Sequence, residues 1–141
     1  MKPESIAEKF SKGFDCSQVV LEHFAEELGI SSELANKVSA CFGGGMAKGE
    51  TCGAVAGALM VIGLKYGQYD EGHMEQKDIM AEKREEFYKK LAQKYPSCLC
   101  KDLLKHDISQ SGEFEKVLKS GLLFDFCPLL VSDIIEILQE I

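Results

Sequence analysis

Six cysteines are the residues of this chain best suited to chemistry, and four of them share one local pattern. Cys16 opens "CSQVV", Cys52 "CGAVA", Cys100 "CKDLL" and Cys127 "CPLLV", so the positions three and four residues on are apolar each time. On a helix those positions lie on the same face as the cysteine. Each of the four therefore heads the core-facing stripe of its own helix, in the first turn or at the cap. Cys41, followed by "FGGG", and Cys98, followed by "LCKD", do not fit and read as a buried space-filler and a loop thiol. Spacing alone separates a quartet from a pair.

Free N–H groups and the positive dipole end of a helix favour thiolate over thiol by about 0.3–1 kcal/mol each. Burial opposes this, and four bare thiolates converging in a core would repel one another. They are stable together when a cation joins them, as in a metal or iron–sulfur centre, or when they pair by oxidation. Plain filling of the core by cysteine is the third reading. The chain has no C-x-x-C, so neither a thioredoxin-like site nor a zinc ribbon is signalled, and no C-x-x-C-H for c-type haem attachment. His23, His73 and His106 stand in polar or charged surroundings and read as solvated residues. No Ser/His/Asp spacing or paired carboxylates support hydrolysis.

The elements that must position the thiols read as helices. Asp15 caps a helix running to Leu28 with Cys16, Val20, Phe24 and Leu28 on one face, and Gly29 ends it. A short helix follows Ser31 or Ser32. A long, mostly polar helix spans roughly 71–94, with Met80, Phe87, Leu91 and Tyr95 as its apolar stripe. "EFEKVLKS" forms a short helix, and the last helix opens at Pro128.

The glycine-rich stretch "GGGMAKGETCGAVAGALMVIG" (43–63) admits three readings. A phosphate loop fails because Glu50 stands where the motif needs lysine, and because a helix precedes it instead of a strand. A membrane span fails because the uncharged run from Cys52 to Leu64 is far shorter than the roughly 20 residues required. What remains is a buried helix capped by Thr51 and starting at Cys52. Gly53 and Gly57, one turn apart on it, let a neighbouring helix or a crowded thiol site approach closely.

No strand pattern or repeat appears, so the expectation is an all-α, compact multi-helix bundle of about six or seven helices, with cysteines at helix N-termini and residues 1–141 as a single domain. A 45% hydrophobic composition can form a core without disulfide staples. The net charge of −7 argues against nucleic acid or an anionic membrane as partner. "MKPESIAEKF" has no apolar signal region, so a reducing, cytoplasmic setting is expected.

At these cysteines the chain resembles the C_GCAxxG_C_C family, small bacterial and archaeal helical domains named for their cysteine pattern. "DCSQVVLEHFAEELG", "FGGGMAKGETCGAVAGALMVIGLKYG", "CKDLL" and "DFCPLLV" carry the resemblance, with CGAxxG at Cys52 to Gly57. The family cysteines then fall on Cys16, Cys52, Cys100 and Cys127. Cys41 and Cys98 are extras, and "LLKHD" has lysine where members commonly have glycine. The resemblance implies a redox role, and a similar domain occurs beside haem segments in some multihaem cytochromes. The expected function is therefore a redox or electron-transfer module in which Cys16, Cys52, Cys100 and Cys127 bind an iron–sulfur cluster and serve an unidentified redox partner protein. A metal-free dithiol/disulfide protein or sensor and a structural zinc module are the alternatives. The polar-faced long helix leaves room for a homodimer.

Overall fold

The computed structural model describes residues 1–141 and contains nine α-helices and no β-strand. They are α1 (Pro3–Ser11), α2 (Cys16–Ala25), α3 (Ser32–Ser39), α4 (Gly53–Tyr66), α5 (Met74–Ala92), α6 (Cys100–Leu104), α7 (Glu113–Ser120), α8 (Leu122–Asp125) and α9 (Cys127–Gln139). The all-α expectation holds. The count exceeds six or seven because α6 and α8 are only one turn or so long, too short for a periodic pattern, and because α1 lies in a stretch with few apolar residues.

Local sequence accounts for most boundaries. Pro3 starts α1 in the first turn, where its missing N–H costs nothing. Asp15 caps α2, and its own N–H donates to the Gln18 side-chain oxygen at 2.8 Å, the return half of a capping box. The Ser31 hydroxyl accepts the Leu34 N–H at 3.0 Å to start α3. Cys52, rather than Thr51, caps α4, and α5 starts at Met74, three residues after the expected Glu71. α9 begins one residue before Pro128, with Cys127.

α4 is the axis of the bundle, with α2, α5 and α9 around it. Its apolar residues Ala54, Val55, Ala58, Val61 and Ile62 are buried with Val19, Val20 and Leu21 of α2, Phe87 and Leu91 of α5 and the stripe of α9. Met80 and Tyr95 pack partly against this core, completing the stripe expected of α5. A second, smaller cluster stands apart from it: Cys100, Leu104 and Val117. No helix is long and apolar enough to cross a membrane.

Glycine sets the distance between α2 and α4. A Cβ on Gly57 would lie 2.9 Å from the Ser17 carbonyl oxygen and 3.1 Å from Val20 Cβ. Backbone cannot retreat as a flexible side chain can. Gly57→Ala should therefore destabilise the chain by about 1 kcal/mol or more despite alanine's propensity advantage of roughly 0.8–1 kcal/mol, and Gly57→Leu by more, since overpacking costs about 1–3 kcal/mol. Urea unfolding of both variants checks this; equal or greater stability would show that the helices are not in backbone contact there.

Candidate functional site

Cys16, Cys52, Cys100 and Cys127 all line one cavity of about 170 Å³. Its other walls are mainly apolar and include Phe10, Phe14, Ile108 and Phe126. Cys16, Cys100 and Cys127 are the first residues of α2, α6 and α9, and Cys52 caps α4. The separation into quartet and pair is thus a spatial one. Cys41 is exposed at the end of α3, not a buried space-filler, and Cys98 is half-buried outside the cavity wall.

Cys98 contributes through its backbone. Its carbonyl accepts the Cys52 N–H at 2.7 Å, and the Glu50 carbonyl accepts the Cys100 N–H at 2.7 Å. Between these bonds Thr51 and Leu99 face each other as a single antiparallel bridge. The segments "ETC" and "CLC" are therefore one ladder rung long, and each delivers a cysteine to the start of a helix. Both helix-starting thiols take their places from this pairing. The signal for it was the Cys98–Leu99–Cys100 spacing, which by sequence alone reads as a weak thiol motif.

The stretch before α4 is neither a phosphate loop nor simply helix. Gly44, Gly45, Met46 and Ala47 have φ values of 64°, 62°, 59° and 57°, a run of four left-handed residues. For Met46 and Ala47 this conformation costs roughly 1–2 kcal/mol each. It is held from both sides: the Phe42 carbonyl accepts the Met46 N–H at 3.3 Å, and the Gly45 carbonyl accepts the Glu50 N–H at 3.2 Å. Its entry, Gly43, lies flat against the Asp15 carboxyl, where a Cβ would come within 2.5 Å of Cγ. The turn presents the Gly44 N–H to the Cys16 sulfur. Gly53 completes the enclosure, since a Cβ there would fall 2.5 Å from Cys16 Sγ and 2.8 Å from the Phe42 carbonyl oxygen. Of the two glycines in the CGAxxG motif, then, Gly53 leaves room for sulfur and Gly57 for a helix.

Cys16 and Cys52 share a hydrogen bond. The Cys52 thiol donates, which pulls Cys16 below the ordinary thiol range against the effect of burial, with help from the Gly44 and Ser17 N–H groups. The same bond pushes Cys52 well above that range, and burial and the Cys16 thiolate add to the rise. Burial raises Cys100 to about 11 and Cys127 to about 12, reinforced in both by the negative charge on Cys16 and, for Cys127, by Cys100. On Cys52, Cys100 and Cys127 desolvation and like-charge repulsion act in the same direction, so negative charge on these three is resisted.

A cavity that collects the four patterned cysteines and omits the other two is the property the cysteine signature describes. The chain belongs to the C_GCAxxG_C_C family. The family model, described as "Putative redox-active protein (C_GCAxxG_C_C)", matches residues 14–141. No curated protein and no solved structure gives a significant match.

In this C_GCAxxG_C_C chain the lysine of "LLKHD" ends α6 at φ 59°, so the position calls for a left-handed residue, which glycine adopts without strain. No group of three His, Cys, Asp or Glu side chains is gathered to hold a metal ion.

Two measurements test the geometry. Gly53→Ala should displace the Cys16 sulfur, changing Cys16 alkylation by iodoacetamide, and should lower stability although helix propensity alone would raise it by about 1 kcal/mol. Unchanged alkylation with a gain in stability would contradict the packing. The second is pH dependence in the reduced, metal-free chain. Cys100 and Cys127 keep their protons to about 11 and about 12 when folded, against a reference of 9.0. Their contribution to stability is thus complete below about pH 9 and is lost as pH rises toward their folded values. The wild type should lose stability over that range more steeply than Cys127→Ser, as read by urea midpoints from about pH 8 to 11.

Proposed function

We propose that this protein is an electron-transfer module whose cavity holds an iron–sulfur cluster on Cys16, Cys52, Cys100 and Cys127. The observation that carries the proposal is the convergence of all four patterned thiols on one apolar cavity. Cys16 and Cys52 are in contact on the main-core side, and Cys127 packs against the small cluster containing Cys100 on the other. A single ion needs its ligands gathered at one point. A cluster brings its own bridging sulfides, and in a two-iron centre each iron takes only two thiolates from the protein. Bound there, the cluster would supply one-electron chemistry. The chain supplies thiolates, the Gly44 amide at Cys16, whose hydrogen bond would tune the potential, and an apolar wall that limits water.

The contact between Cys16 and Cys52 favours a second reading, a dithiol pair. The lowered thiol of Cys16 would attack a partner's disulfide and Cys52 would displace it. A Cys16–Cys52 disulfide would form, and two electrons and two protons would pass to the partner.

Anaerobic purification separates the two. The cluster reading expects a brown protein containing iron and acid-labile sulfide. Single replacement of Cys16, Cys52, Cys100 or Cys127 by serine should remove most of both, while Cys41→Ser and Cys98→Ser should keep them. A colourless protein that loses two free thiols on mild oxidation, with only Cys16→Ser and Cys52→Ser blocking the loss, would establish the dithiol reading instead. An equal response from all six variants would sink both.

A further inference from the structure

Two of the four cavity thiols are buried and two are half-buried, which raises the question of access. Cys52 and Cys100 are 6% and 7% exposed, so neither a metal ion nor a thiol reagent reaches them without movement. The cavity lies between two unequal clusters. Cys52 belongs to the main core, whereas Cys100 lies in the smaller cluster with Leu104 and Val117, against which Ile108, Leu122, Leu123 and Phe126 pack in part.

The roof over this smaller cluster is α7, and it is weakly held. Val117 is its one buried residue, while Phe114 and Leu118 are exposed. Phe114 and Val117 both line the cavity. Gly112 and Gly121 flank the helix at φ 81° and 82°, two glycine joints with one helix between them. A helix of eight residues has little stability of its own in water. Its start is pinned by one polar contact, His106 Nδ1 to Glu113 Oε2 at 2.9 Å, and Glu113 Oε1 also takes Lys116 Nζ at 2.9 Å. Few buried apolar contacts and a short span are the marks of a segment that opens locally, well below the free energy of global unfolding.

We propose that α7 is a hinged lid over the cysteine cavity, held shut by Val117 and the His106–Glu113 contact, and that its opening is the route by which metal ions and small thiol-reactive solutes reach the buried Cys100. The proposal rests on the reading above only in taking the cavity as the functional site. The lid regulates that site whether a cluster or a dithiol acts there. Cys16 and Cys52, anchored by α2 and α4 in the main core, stay in place when it opens.

The test is site-resolved alkylation of the full-length, reduced, metal-free chain by iodoacetamide, read by peptide mass spectrometry. Comparing each cysteine with itself across variants cancels differences in intrinsic reactivity. Val117→Ala truncates the lid's only buried side chain and should speed labelling of Cys100 about ten-fold, leaving Cys52 within about two-fold. Glu113→Ala and His106→Ala should each speed labelling of Cys100 roughly two- to five-fold, the range expected for one partly buried hydrogen bond. Amide hydrogen exchange should show 113–120 opening independently of the urea midpoint. Equal acceleration of Cys52, or one labelling rate for Cys52 and Cys100 that follows global unfolding, would overturn the lid. Neither outcome depends on iron content, so the lid and the cluster can fail separately.

Discussion

Two backbone hydrogen bonds of 2.7 Å, Cys52 N–H to Cys98 and Cys100 N–H to Glu50, join the parts of this molecule on which the cysteine site depends. They tie the start of α4, the axis of the main core, to the start of α6, which carries the smaller cluster. A buried N–H without a partner costs about 1–3 kcal/mol, so the two segments are held in this register and no other. With the register goes the placement of two thiols at once. Short as it is, the rung does what a sheet would do elsewhere: it brings together residues distant in the chain.

The first pair of thiols is held differently. Cys16 is fixed by the close packing of α2 on α4, which Gly53 and Gly57 permit, and by a left-handed turn that brings the Gly44 amide to its sulfur. Strain in Met46 and Ala47 sits immediately beside the site. Such outliers persist only where the surroundings over-determine them. Here those surroundings are the Asp15 carboxyl against Gly43 and Ile108 against Gly44. The enclosure yields a cavity that lowers the Cys16 thiol and raises the other three, so that further negative charge calls for a counter-charge or for oxidation. Both chemistries proposed for the site meet that demand.

Much of this was legible beforehand because the information is local. Apolar residues three and four positions after a cysteine place it at the head of a buried helical stripe whatever the tertiary fold, and the four so marked are the four in the cavity. Asp15 and Ser31 worked as helix punctuation for the same reason, whereas α2 ends at Ala25, short of the expected Leu28, and Gly29 turns left-handed at φ 76° in the turn that follows. Thr51 was read as the cap of α4 because threonine is a good cap, but it is engaged opposite Leu99, and the cap passed to Cys52. Cys41, outside the quartet's spacing, reads as a buried filler; it lies just past the end of α3 and is exposed, which no spacing rule shows.

The helical class, the separation of the quartet from Cys41 and Cys98, and the need for small residues around Cys52 were all written in the order of amino acids. Each follows from helix periodicity or from side-chain size, which act over one or two turns. Folding in three dimensions was needed to make Cys98 serve through its carbonyl, and to set Gly53 against a sulfur and Gly57 against a backbone. It was needed as well to turn Gly44 to Ala47 left-handed and to roof the cavity with α7 through one buried side chain. These features depend on contacts between segments far apart in the chain, where a partner's identity is set by packing geometry and not by any local propensity.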